Sequence, residues 1–143
     1  MLIYIESQTP GSTVATTIRG AEGNSVLALD DEGRLQATIR DRGGQLQSVT
    51  GAAFLPLEAW RFIAMTADGD HLRIYEDGQL VASATCVMMT ASHSETFWFG
   101  TDAEGIGLWN GRIDEVAMFD KALSDNEIAR LQQAALAEMA RPR

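Results

Sequence analysis

The groups in this 143-residue chain whose types and spacing could do chemistry are a few neighbouring carboxylates, two histidines, short acidic loops and one aromatic triplet. Hydrolysis of a glycosidic bond generally needs two carboxyl groups facing one cleft, about 5–5.5 Å or 6.5–9.5 Å apart. Asp114 and Glu115 are adjacent, so on a strand they point to opposite faces. Glu76 and Asp77 run into Gly78 and read as turn residues. Carboxylates from different strands can still converge, but no pair is visible, and the expectation is a protein that is not an enzyme. A nucleophilic triad is no better supported. His71 opens a strand-like segment and reads as a solvated edge residue, while no Gly-x-Ser-x-Gly elbow surrounds any serine. His93 lies in the polar stretch 90–95, where it is either a solvated loop residue or a ligand contact. Phosphate-cradling glycine motifs are absent.

Two binding chemistries are left. Calcium takes six to eight oxygens, often from loop carboxylates and backbone carbonyls. Asp30-Asp31-Glu32 and Asp102-x-Glu104 have that character, although Asp and Gly also dominate turns for conformational reasons. Asp30, Asp31 and Glu32 are the expected metal ligands if Ca²⁺ is bound, and no other cofactor is expected. In Phe97-Trp98-Phe99, alternation sends Trp98 to the face opposite both phenylalanines. If the phenylalanines face the core, Trp98 is covered by a helix or loop, anchors a protein interface, or stacks on a sugar ring. Trp98, His93, Asp102 and Glu104 are the expected ligand-binding residues.

These residues must be positioned by short strands. Turn signals recur at Asp31-Glu32-Gly33, Asp41-Arg42-Gly43-Gly44, Asp68-Gly69, Asp77-Gly78 and Asn110-Gly111. Between them, residues 34–40 alternate with Leu35, Ala37 and Ile39 on one face, and His71-Leu72-Arg73-Ile74-Tyr75 repeats the pattern. Asp77-Gly78 supplies positive φ angles, which makes 71–84 a hairpin. Val26-Leu27-Ala28-Leu29 and Phe62-Ile63-Ala64-Met65 lack clean alternation, as expected of strands covered on both faces. The chain then changes character. Ser124-Asp125-Asn126-Glu127 is a capping box, and Ile128, Leu131, Ala135 and Met139 recur at helical spacing up to Pro142. One helix over about 124–140 therefore follows a set of antiparallel strands.

Length and charge bound the rest. One domain of this size buries roughly 68–70% of the surface its unfolded chain would expose. Net charge is −9, from 11 basic against 20 acidic residues, and the arginines are scattered singly, which argues against nucleic acid. No segment reaches the ~18 apolar residues of a membrane helix, and the first residues lack the basic and apolar regions of a signal peptide. Cys86 is single, so an intrachain disulfide is excluded and a buried small hydrophobe is its expected role.

Residues 60–131 resemble the laminin G-like, concanavalin A-like jelly-roll superfamily. The resemblance rests on Trp60-Arg61-Phe62-Ile63-Ala64-Met65-Thr66, on the hairpin from Leu72 to Val81, on Gly111-Arg112-Ile113-Asp114-Glu115-Val116-Ala117-Met118-Phe119, and on Ala122-Leu123-Ser124-Asp125-Asn126-Glu127-Ile128. It implies an all-β, two-sheet antiparallel jelly-roll sandwich with one C-terminal α-helix, and a strand over 111–119. It also implies a non-catalytic module that binds a carbohydrate or a protein surface, sometimes with Ca²⁺. The alternative is a structural or oligomerisation module without a small ligand. In the strand at Asp114, an acidic residue on an apolar face reads as a hydrogen-bonded structural carboxylate before a ligand. Members of the superfamily usually have one or two more strands before the point where this chain begins, and Met1 to Glu6 is expected to supply one of them. An unfilled sheet edge would invite pairing, so a homodimer through that edge or through the helix is expected. Members are commonly extracellular. This chain carries no signal that assigns a compartment.

Overall fold

The computed structural model describes residues 1–7, 11–19, 22–87, 96–101, 105 and 107–141, with the backbone alone for 15–19 and 22–24. His93, Asp102 and Glu104 lie outside the described residues. Among the described residues ten strands, β1 (Leu2–Ile5), β2 (Thr13–Arg19), β3 (Glu22–Leu29), β4 (Arg34–Arg40), β5 (Leu46–Phe54), β6 (Trp60–Ala67), β7 (His71–Glu76), β8 (Gln79–Thr85), β9 (Thr96–Phe99) and β10 (Gly111–Asp114), precede one helix, α1 (Asp125–Met139). They form two five-stranded antiparallel sheets, ordered β10-β1-β6-β7-β8 and β5-β4-β3-β2-β9. This is the jelly-roll sandwich with a C-terminal helix that the sequence implies.

Alternation places the core between the sheets. Ile3, Ile5, Ile63, Leu72 and Ile74 from one sheet meet Leu27, Leu29, Leu35, Ala37 and Val49 from the other, all buried. Cys86 joins them, and burial pushes its thiol pKa up. A second apolar layer covers the outer face of the first sheet. There Leu2, Phe62 and Tyr75 pack under Ile128 and Ala135 of α1, with Trp60, Leu131 and Met139 beside them. We call this sheet helix-backed and its partner the open sheet. The helix begins where the capping box requires: Ser124 Oγ accepts from the Glu127 amide, and Glu127 Oε2 accepts from Ser124 N at 2.8 Å. At the β7–β8 turn, Asp77 (φ 46°) and Gly78 (φ 78°) both take the left-handed region that the tight hairpin needs.

Two expectations are corrected and two hold. The strand expected over 111–119 ends at Asp114, because Glu115 turns left-handed (φ 49°) while its amide donates to Asp114 Oδ1 at 2.9 Å. The segment 26–29 is covered on one face only: Leu27 and Leu29 are buried, but Val26 and Ala28 lie half-buried on the outer face of the open sheet. In 62–65 the expectation of two covered faces holds for Phe62 and Ile63, which the helix and the core cover respectively. Met1 to Glu6 supplies a strand as expected, and β1 lies inside its sheet between β10 and β6.

Candidate functional site

Among the described residues no helix covers the outer face of the open sheet, and one row of register partners runs unbroken across it. Trp98 pairs with Thr16, Thr16 with Val26, Val26 with Thr38, and Thr38 with Ser48. At about 4.8 Å per strand, this row runs roughly 19 Å from Trp98 on β9 to Ser48 on β5. The next row brings Ala28, Gln36 and Thr50 together. Side chains link the rows' far halves: Thr38 Oγ1 and Ser48 Oγ are 2.8 Å apart, and Gln36 Nε2 donates to Thr50 Oγ1 at 3.0 Å. An aromatic face at one end of a shallow hydroxyl- and amide-bearing surface suits stacking on an apolar ring face with hydrogen bonds to its hydroxyls.

The aromatic triplet alternates as its sequence predicts, with an added feature. Trp98 is 40% exposed on the outer face. Phe97 and Phe99 point inward, in rows with Ile39 and Leu27, yet remain 42% and 40% exposed. They face the core side without being sealed into it. A second aromatic cluster lies on the helix-backed sheet, where the Tyr4 and Trp60 ring centroids are 5.5 Å apart and the Arg112 guanidinium sits 5.1 Å from the Tyr4 centroid.

The acidic loop at Asp30 is built as a turn. Asp30 Oδ1 accepts from the amides of Glu32 and Arg34, both at 2.9 Å, and Oδ2 accepts from Arg34 Nε at 2.8 Å. Glu32 adds an ion pair to the same guanidinium at 3.3 Å. Desolvation pushes the Asp30 carboxyl up, but these hydrogen bonds outweigh it and hold its pKa below the ordinary value. Asp31 and Glu32 are exposed. Among the described residues no three His, Cys, Asp or Glu side chains gather to hold a metal ion. Trp98 and the Asp30 loop share one sheet without forming one cluster, and His93, Asp102 and Glu104 fall outside the description.

Two further carboxylates are committed locally. Asp77 accepts from the Phe62 amide and from Arg61, and Asp68 accepts from the amides of Asp70 and His71 and from Arg73 Nη1. The Arg73 hydrogen bond, foremost, holds Asp68 well below the usual carboxylate range. Glu76 points toward Gly51 of the opposite sheet, and burial raises its pKa.

A sequence profile of the concanavalin A-like lectin/glucanase superfamily, of laminin G type, matches residues 2–129. The chain belongs to this superfamily. Among solved structures, this member of the superfamily is similar to a heptameric SAP-like pentraxin from Limulus polyphemus (14% identity, TM-score 0.72, 92% of this chain and 66% of that one). It is also similar to a putative carbohydrate binding protein from Bacteroides ovatus (21%, 0.70, 90% and 38%). A third is the CBM40 of the Ruminococcus gnavus IT-sialidase (15%, 0.71, 92% and 80%), a domain also solved bound to α2,3-sialyllactose. The lectin/glucanase-type chain thus spans less than two thirds of the first two. At these identities the likeness establishes the fold. No curated protein sequence matches the chain.

The residues that sequence reading missed are Gln36, Thr38, Ser48 and Thr50. Their signal was present: the same alternation that sends Leu35 and Ala37 inward sends Gln36 and Thr38 outward, and Val49 does the same for Ser48 and Thr50. What joins them to Trp98 is cross-strand register, which spacing along one strand does not contain.

Proposed function

We propose that this chain is a non-catalytic binding module whose ligand is a glycan, held on the outer face of the open sheet. The observation that carries the reading is the single row linking Trp98 to Thr38 and Ser48. Trp98 stacks on a sugar ring, while Thr38, Ser48, Gln36 and Thr50 exchange hydrogen bonds with its hydroxyls. Support of a general kind comes from relatives in fold whose names describe carbohydrate binding. A glycan array that includes sialyllactoses tests it, run with calcium and then with EDTA because Asp102 and Glu104, expected ligand-binding residues of an acidic loop, lie outside the described residues. The expected result is saturable binding weakened at least tenfold by Trp98→Ala, with the thermal melt unchanged because the indole is exposed. EDTA sensitivity would assign a calcium role; its absence would leave the row sufficient. A blank array from folded protein overturns the reading.

The second reading is an assembly module without a small ligand. Met118 and Phe119 are exposed and line one cleft with Phe97 and Phe99, an apolar patch that monomer surfaces rarely leave bare. A homodimer through the β9 or β10 edge, or through α1, would cover it. Light scattering across a wide concentration range tests this: a single-chain mass throughout rejects the dimer.

A further inference from the structure

All 11 basic and 20 acidic residues of the chain fall outside two segments, Gly43 to Leu57 and Gly78 to Ser94. These segments contain β5, the edge of the open sheet, and β8, the edge of the helix-backed sheet. The two edges lie on one side of the sandwich, where a Cβ added to Gly51 of β5 would meet Val81 of β8 at 3.7 Å. Both edges come from the middle of the chain, and β1 lies three strands in from β8. Leu46, Phe54 and Leu80 are exposed along this uncharged wall. Edge strands are ordinarily protected by charge, proline or a bulge. The register irregularity of β5 falls after Thr50, where β4 passes from Gln36 to Arg34. From Leu46 to Thr50 the strand has no such protection. It pairs residue for residue with Arg40 to Gln36, and among the described residues nothing pairs with its other side.

We propose that this wall binds a second copy of the chain, with Leu46–Thr50 of one β5 pairing antiparallel with Thr50–Leu46 of the other about a two-fold axis at Ser48. Charge selects the occupant. A net charge of −9 opposes the approach of a second copy elsewhere, whereas β5 and β8 bring no like charges together. An uncharged wall also gives a partner of opposite sign nothing to recognise. Pairing about a two-fold axis asks of the partner only the same straight strand, and the second copy supplies it. Each backbone then answers the outward N–H and C=O groups of the other. The register has a consequence for the outer face. With Ser48 opposite Ser48 of the second copy, the row from Trp98 through Thr38 continues across the axis into the partner's row. A ten-stranded sheet results, with a Trp98 at each end, nine strand spacings or about 43 Å apart. A long glycan lying along the joined row would engage both copies. That consequence rests on the glycan reading; the interface itself does not.

The test needs no glycan, so its failure and that of the glycan reading are separate results. Light scattering of the purified chain should show a dimer that dissociates on dilution. Hydrogen exchange at the outward amides of 46–50 should be at least tenfold slower in the dimer. Ser48 is exposed, so it can be replaced without disturbing the core. Ser48→Lys and Ser48→Glu should each weaken the dimer at least tenfold, because like charges then stand directly opposite. An equimolar mixture of the two variants should recover it. Ser48→Cys should form a disulfide-linked dimer under mild oxidation, and Leu46→Cys should not, since the two copies of position 46 lie about 14 Å apart in this register. The cysteine variants decide the matter alone if the charged ones fail to fold. A single-chain mass at every concentration, a dimer indifferent to Ser48→Lys, or equal cross-linking by the two cysteine variants overturns the proposal. Outward amides of 46–50 already slow in the dilute single chain overturn it too, because the protein's own chain would then cover the edge.

Discussion

Tyr75 Oη donates a 2.8 Å hydrogen bond to Oδ1 of Asp125, joining the middle of the helix-backed sheet to the first turn of α1 across fifty positions of sequence. Tyr75 is 1% exposed, and its ring lies in the apolar layer that also holds Ile128 and Ala135. One polar contact therefore sets where the helix starts on a surface that apolar packing alone would hold less specifically. Burial, with the neighbouring Asp125 carboxylate also contributing, raises the phenol pKa, so the hydroxyl stays protonated and donating at neutral pH.

Removing that hydroxyl leaves the ring's packing intact. Tyr75→Phe is expected to lower stability by about 1.5–3 kcal/mol, the range for a hydrogen bond to a charged acceptor. Urea unfolding of Tyr75→Phe, Asp125→Ala and the double variant checks it. The double variant should cost clearly less than the two single losses combined, and simple additivity would show that the contact does not couple the two residues.

Acid should loosen the same helix end. Glu127 is held at a pKa of about 2, foremost by its hydrogen bond from Lys121 and then by those from Ser124. A folded pKa below the ordinary 4.5 means that its stabilising contribution is present above pH 4.5 and is lost as pH falls toward 2. The acid limb of a pH–stability curve should flatten in Glu127→Gln. Ser124→Ala should in addition cost about 1 kcal/mol at neutral pH through the lost cap. An unchanged acid limb in Glu127→Gln would show that the carboxylate is not engaged in solution.

The Asp30 loop separates turn from metal site. Asp30→Ala removes an acceptor of two amides and a guanidinium, and should lower stability by about 2 kcal/mol. Thermal melts in calcium and in EDTA should show the same loss. A loss seen only with calcium present would place an ion at Asp30 and overrule the turn reading.

Much of the scaffold was legible in the residues. The Asp77-Gly78 hairpin, the capping box at Ser124, the helical spacing from Ile128 to Met139 and the inward set Leu35-Ala37-Ile39 each depend on neighbours within one turn or one strand. Local conformational preference and apolar alternation are written at that range. The reading of 111–119 as one strand failed for a different reason. An alternating pattern states which face a side chain prefers, but a strand also needs a neighbour to bond, and beyond Asp114 none stands among the described residues. Val26 and Ala28 misled in the same way: apolar side chains on both faces do not say that anything covers the second face.

The site divides along this line. Sequence by itself determined a set of short antiparallel strands, the position of the helix and the outward direction of Trp98, because period and turn chemistry are properties of short segments; the two-sheet class came from the resemblance of whole motifs to the superfamily. Only the tertiary structure decided that Trp98, Thr38 and Ser48 share a row, that Asp30 is taken up by Arg34 and by turn amides, and that Phe97 and Phe99 face the core side while staying partly exposed. Each of those depends on which strands became neighbours and in what register, a choice made by packing the whole sandwich.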